Sequence, residues 1–243
     1  MRIAHASINE NKTTKNGQAG DQTGKEVCVR SWYSKPWTVL LRYPDRSVRQ
    51  RIAEIAEILA NDNLIGYDQN ERNSLHDVLK ACNYDLNTFF LRGQKVETDC
   101  SAFVTCVCIA AGIKGLEYAG NAPTTATMKS VFKKSGFEVL TDEKYVTQSD
   151  YLSEGDILLK PSSHTVIVLD DGDKYGKTSI SYFPPCESYH GSIVDALKSI
   201  GVDSSKDNRR KIYKANFSDK YIASGKQNRD LLKKLKDGKL IRP

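Results

Sequence analysis

The stretch Glu97-Thr98-Asp99-Cys100-Ser101-Ala102-Phe103-Val104-Thr105-Cys106-Val107-Cys108-Ile109-Ala110-Ala111-Gly112 constrains the fold more than any other part of the chain. Counted from Cys100, apolar side chains fall at Val104, Val107, Cys108 and Ala111, the spacing of one helical face, and Gly112 supplies a left-handed stop. Asp99 reads as the N-cap. Cys100 then stands in the first turn, beside unpaired backbone N–H groups and the positive end of the helix dipole. Such a place favours thiolate over thiol, and thiolate is the nucleophile. A cysteine on an apolar helix face is more often a small buried hydrophobe, so a catalytic reading needs a base.

Residues 154–172 offer one. Glu154-Gly155-Asp156 reads as a turn, Ile157-Leu158-Leu159-Lys160 as a strand, Pro161-Ser162-Ser163 as a short loop and His164-Thr165-Val166-Ile167-Val168-Leu169 as a second strand. His164 stands at the mouth of that second strand. A histidine so placed can present one ring nitrogen to a thiol while the other is fixed from behind.

Asp99-Cys100-Ser101-Ala102-Phe103-Val104 opening a helix, then Gly155-Asp156-Ile157-Leu158-Leu159, then His164-Thr165-Val166-Ile167-Val168-Leu169 resemble, in order and spacing, the NlpC-like and CHAP-like cell-wall cysteine hydrolases. The likeness covers about residues 97–172. The N-terminal part, including Gly20-Asp21-Gln22-Thr23-Gly24-Lys25-Glu26 and Arg30-Ser31-Trp32-Tyr33, resembles lysins encoded by phages and prophages of Gram-positive hosts. The resemblance implies an α+β, papain-like fold with the cysteine helix packed on a small antiparallel sheet. It implies Cys100 as nucleophile, His164 as base, no cofactor, and peptidoglycan as substrate, cut at an amide of the stem peptide or of the glycan–peptide junction.

The third, orienting group departs from the pattern. In the resembling families a polar residue on the strand after the histidine strand faces the ring; residues 178–183, read as that strand, offer Ser179 or Ser181 in place of His, Asn, Gln or Glu. Asp170 lies at the far end of its own strand, about 20 Å from His164. Asp21 in the glycine-flanked loop is the candidate orienting group, and Gln22 the candidate oxyanion donor, as upstream glutamines are in papain-like enzymes. Both are also ordinary turn formers. Asp99 reads as a cap and Asp156 as the holder of its turn. Of the other histidines, His5 falls in a polar, mobile start, His76 on the solvated side of a helix and His190 in a linker. Trp32, Tyr33 and Trp37 line a groove or belong to the core.

The chain of 243 residues, 39% hydrophobic, has room for one sizeable domain and a small one. Residues 1–185 are expected to form the catalytic domain, 186–191 a linker and 192–243 a helical basic module. Helices are expected from Ser47 to about Asn61, after Asp68, and from Thr124 to Ser135; Glu26–Trp32 and Trp37–Arg42 read as short extended pieces. From His190 onward fourteen Lys and Arg face six Asp and Glu, a charge of +8 within a total of +6, which leaves −2 for the rest. The basic module is where an anionic wall polymer would be met.

No run is apolar enough for a membrane span, and Met1-Arg2-Ile3-Ala4-His5-Ala6-Ser7 lacks a signal-peptide core. The expectation is synthesis in the host cytoplasm and action at the wall after release. Six scattered cysteines read as reduced, and Cys106-Val107-Cys108 without a nearby histidine is a poor zinc pattern, so no metal is expected. Two other readings stand beside the hydrolase. The same Cys–His plan hosts acyl transfer and transglutaminase-like activities. A non-catalytic protein that binds wall polymer or, less in keeping with the pattern, nucleic acid would use the same basic tail.

Overall fold

The computed structural model describes residues 1–175, 182–187, 189–217 and 220–243 and divides the chain into two compact units, 1–175 and 176–243. The division falls ahead of the boundary expected at residue 185. No helix among the described residues is long and apolar enough to cross a membrane.

The first unit is α+β. Its strands are β1 (Arg2–Ala6), β2 (Val27–Ser31), β3 (Val39–Arg42), β4 (Ile65–Tyr67), β5 (Val96–Thr98), β6 (Glu138–Leu140), β7 (Ile157–Lys160) and β8 (His164–Val168). Its helices are α1 (Arg46–Ala60), α2 (Ser74–Ala81), α3 (Leu86–Arg92), α4 (Cys100–Ala110), α5 (Met128–Lys134) and α6 (Glu143–Val146). Six strands form one antiparallel sheet in the order β2-β1-β8-β7-β3-β6, and β4 and β5 form a separate parallel pair.

One sequence expectation fails at this sheet, and a second falls largely outside the described residues. The start of the chain is not mobile: Ile3, Ala4, His5 and Ala6 are buried in β1, which pairs with β2 on one side and β8 on the other. β7 is on the other side of β8, and residues 178–183 read as a further partner of that strand. Of that stretch, 178–181 lie outside the described residues, and with them Ser179 and Ser181; Tyr182 and Phe183 pair with Ile241 and Leu240 inside the second unit.

Alternation along the strands separates two cores. Ala4, Ala6, Val39, Leu41, Ile157, Leu159, Ile167 and Leu169 face α1 and α4, meeting Ile52, Ala56, Phe103, Val104 and Val107. Ile3, Leu40, Leu158, Val166 and Val168 face the other way, onto Trp37, Val146 and Leu152. Each large apolar side chain so buried contributes about 1.5–3 kcal/mol. Helix α4 is buried on every side from Cys100 to Ile109, not along one stripe, because sheet, α1 and α2 all pack on it.

Local chemistry sets the ends of these elements. Asp45, not Ser47, caps α1, accepting the Ser47 and Val48 amides. Gly155 at φ +78° carries the turn into β7, and a Cβ there would stand 2.1 Å from the Arg49 carbonyl oxygen. Asp156 holds that turn as expected, accepting the Ser153 amide at 2.7 Å and the Arg42 Nε–H at 2.8 Å.

The second unit is helical: α7 (Ile193–Ser199), α8 (Lys206–Asn216) and α9 (Gly225–Lys236). Ser192, Ser205 and Ser224 cap them, Ser224 in a capping box with Gln227. Its core joins Ile193, Leu197, Ile212, Leu231 and Leu235 to Phe183, Cys186, Tyr213, Tyr221 and Leu240. Phe183 and Cys186 are therefore core residues of this unit, at positions the sequence reading gave to the first domain and the linker.

Candidate active site

Helix α4 starts at Cys100 because Asp99 accepts the Ala102 N–H at 2.7 Å and the Ser101 hydroxyl at 2.9 Å. The cap is held from behind. Arg72 donates to the two Asp99 oxygens at 2.6 and 3.2 Å, to Ser101 Oγ at 2.8 Å, and to the carbonyls of Ala122 and Pro123 at 2.8 and 3.2 Å. Asp99 is thus a fixed, paired cap. A cavity of about 370 Å³ opens on this helix start, bounded by Cys100 and Ser101, by Gln69, Asn70 and Thr124, and by Ser162 and Ser163 of the β7–β8 turn.

His164 opens β8, opposite Lys160 of β7. Its ring stacks on Trp37, centroids 6.1 Å apart and planes 25° apart, and meets the ring of His5 edge-on at 5.8 Å. Alternation puts His164 on the side of β8 that Val166 and Val168 share, away from α4, while the Cys100 sulfur is met by the backbone N–H of the next residue, Thr165. Among the described residues no hydrogen bond joins the His164 ring to Cys100. The β1–β8 ladder is made at Ile3–Val168 and Ala4–Ile167 and does not reach the end where His5 and His164 stand. Tyr33 reaches this end as well: its ring lies 6.3 Å from that of His5, and charge on Cys100 or Cys28 is felt at its phenol.

Burial disfavours the charged form of both Cys100 and His164. Burial pushes the Cys100 thiol up to about 12, and Asp99 adds to the rise; the Thr165 and Ser101 amides and Arg72 act the other way. Burial first, then Lys35, His5 and Arg30, brings His164 down to about 3. His5 falls to about 4 through burial and the charges of Arg30 and Lys35. The expected gain of thiolate from the helix start is outweighed by desolvation. The structure brings the Cys100 thiol against the Thr165 amide, one residue from His164, without a hydrogen bond between sulfur and ring.

The upstream loop is engaged elsewhere. Asp21, expected to orient His164, accepts the amides of Thr23 at 2.8 Å, Gly24 at 2.6 Å and Glu26 at 2.9 Å, so its carboxylate holds its own loop. Gln22, expected as an oxyanion donor, gives its side-chain N–H to the carbonyls of Ala19 and Gly20 at 3.1 and 2.9 Å. Asp170 pairs with Arg2 at 2.8 Å. His76 is buried, stacked on Tyr118 at 4.1 Å and bonded to the Tyr84 hydroxyl at 3.1 Å, not solvated.

The place of His5 beside His164 is what sequence reasoning missed. The Ile3-Ala4-His5-Ala6 alternation carries its signal, but the alanines make the apolar side too faint to read as a strand. Arg72 lies in a polar run with no pattern to single it out.

No curated protein and no solved structure matches the chain. A family model does, that of the endolysin-like domain, over residues 3–175, the span of the first unit almost end to end. The match covers well over half of the sequence and points to cell-wall lysis of the phage type, with peptidoglycan as the fitting substrate; the chain belongs to the endolysin-like domain family.

Proposed function

We propose that this protein is a peptidoglycan hydrolase of the endolysin type, with a papain-like arrangement in which Cys100 attacks an amide carbonyl of the wall and His164 is the base. The observation that carries the reading is the buried thiol at the first residue of α4, opening on a polar cavity and met by the amide next to His164. In the first step the Cys100 proton passes to His164 as the S–C bond forms. The backbone N–H of Cys100 at the helix start supplies a donor for the developing oxyanion, worth about 3 kcal/mol. The C–N bond then breaks, the amine leaves with the proton from His164, and water cleaves the thioester to a carboxylate and the free thiol.

His5 takes the orienting role that the sequence reading gave to Asp21. It stands on β1, which pairs with the histidine strand, and not on the strand after it where the resembling families keep their third polar group; its ring meets that of His164 edge-on. The second unit is the wall anchor in this reading. Lys206, Arg210, Lys211, Lys214, Lys226, Arg229, Lys233 and Lys239 are exposed on it, and among its described residues a single ion pair, Arg210–Asp207, offsets them. An anionic wall polymer fits that surface.

The test is turbidity clearing of purified Gram-positive cell walls by wild type and Cys100→Ser, with mass spectrometry of the fragments. Loss of clearing in the variant is the expected result, and the fragment masses identify the bond. Equal clearing removes Cys100 as nucleophile. The depth of Cys100 and the absence of a hydrogen bond to His164 favour a second reading, a wall-binding protein with a merely packed cysteine. That reading requires wild type to sediment with walls and release nothing.

A further inference from the structure

A second cavity, of about 540 Å³, lies beside His5, bounded by Ile8, Lys25, Cys28 and Arg30. It is on the side of the sheet that His164 faces. His5 and Cys28 are directly opposite in the β1–β2 register, and alternation sets them on the face away from Ala4, Ala6 and Val27. The Nδ1 of His5, a residue 3% exposed, is buried there without a hydrogen-bond partner.

The charged residues that line this cavity, Lys25 and Arg30, are both cations. Among the described residues no carboxylate pairs with Lys25, Arg30 or Lys35. Arg30 lies over the Tyr33 ring at 4.9 Å and Lys35 over the Trp37 ring at 6.0 Å, so both are held near the histidines by aromatic faces and keep their charge available. The charge of Asp21 reaches Cys28, but its oxygens are taken by the amides of its own loop. Residues 1–189 carry a net −2, so a local surplus of three cations beside the histidine pair runs against the charge of the surrounding chain. Lys35 and Arg30 both disfavour a proton on His5 and His164, a cost to a base that an incoming anion would offset.

We infer that this cavity is an anion subsite, in which Arg30 and Lys25 receive an ionised carboxylate of a peptide whose scissile amide lies at Cys100. The inference rests on the hydrolase reading for the position of that amide, and its own content is the recognition of the carboxylate. Arg30 supplies a planar pair of donors that suits a carboxylate, and Ile8 at the rim contacts the neighbouring apolar carbon. The carboxylate belongs either to a side chain or to the peptide terminus, and the two are separable by experiment.

The probe is a synthetic stem tetrapeptide with one side-chain carboxylate and a free terminal carboxylate, beside its two mono-carboxamides. Binding is measured by calorimetry on full-length Cys100→Ala, and again on Cys100→Ala carrying Arg30→Gln or Lys25→Gln. Both cations are exposed, so their removal leaves the fold in place, which circular dichroism verifies. The expected result is that one of the two carboxamides binds at least about tenfold more weakly than the diacid, which identifies the carboxylate, and that Arg30→Gln reduces this discrimination to within about twofold. Equal binding of all three peptides, absence of saturable binding, or full discrimination retained by both cation variants overturns the subsite. Selective binding together with clearing by Cys100→Ser would leave the subsite standing and remove the nucleophile, so the two proposals fail separately.

Discussion

The ring of His5 meets the ring of His164 edge-on, centroids 5.8 Å apart and planes at 78°, each imidazole deprived of solvent and each kept neutral by burial and by the cations beside it. In the proposed mechanism the base must be unprotonated to take the Cys100 proton, a condition that His164, brought down to about 3, meets above that pH. The rate therefore carries no inflection near 6.5, the ordinary histidine value. We expect kcat/KM on a soluble muropeptide to be level from about pH 5 to about pH 8. Replacing His5 by Gln is expected to lower kcat by up to about 10²-fold and to shift the acid limb, with KM little changed. An acid limb centred on 6.5 in wild type would show His164 to be solvated, contrary to its packing. Stability has the matching sign. Both histidines are neutral when folded and take up protons when unfolded, so their contribution is present above 6.5 and is lost as pH falls toward 4 and then 3.

The buried pair Arg72–Asp99 stands at the mouth of α4, side chains 10% and 11% exposed. Removing Arg72 leaves Asp99 as an unpaired buried charge and frees two carbonyls, whereas removing Ser101 deletes one hydroxyl. Arg72→Ala is expected to cost about 3–5 kcal/mol and Ser101→Ala about 1 kcal/mol by urea denaturation. Similar costs for the two would mean that the pair is solvated and that the helix start is held by its cap alone.

Glu97 precedes the cysteine helix in β5, 3% exposed, with neither carboxylate oxygen in a full hydrogen bond. Burial, then the charges of Glu26 and Asp68, push it up to about 8, with the Gly20 amide opposing. The folded state holds this proton between about 4.5 and 8 and the unfolded state does not. Its contribution to stability is thus greatest below 4.5 and is lost as pH rises through 8. Glu97→Gln, which keeps the shape and removes the titration, should raise the melting temperature at pH 8 and leave it nearly unchanged at pH 4.5. The gain at pH 8 should be on the order of 1–3 kcal/mol. A loss of stability at both pH values would count against a protonated Glu97.

What the sequence made legible was local. The Asp99 cap, the helix that follows it, the turn at Gly155-Asp156 and the two strands after it are set by neighbours within a few residues, and each was readable from spacing and turn chemistry. The surroundings of His164 depend on partners far away in the chain. That β1 fills the place beside β8 is decided by sheet pairing across more than 160 residues, and no periodicity within a five-residue strand announces it. The same holds for Arg72, whose guanidinium earns its partners only once α4 is docked. Asp21 and Gln22 are bound within their own loop, Asp21 accepting loop amides and Gln22 donating to loop carbonyls, the bonds that glycine-flanked polar residues make as turn formers.

The position of the second unit's core decides where the chain can be cut. Phe183 and Cys186 are buried with Leu240, Tyr213 and the α9 leucines, so a fragment ending at residue 186 would carry two orphaned apolar pieces. Ending at Tyr175 keeps both cores of the first unit and the whole family-matched span. We expect residues 1–175 to unfold cooperatively and to cleave a soluble muropeptide with the kcat/KM of the full chain, while failing to sediment with walls. Full-length binding to walls should weaken as salt rises from about 50 mM to about 300 mM, because exposed lysines and arginines act through a field that ions screen within about 10 Å. If the short fragment sediments as the whole chain does, wall attachment belongs to the first unit, and the basic helices have some other purpose.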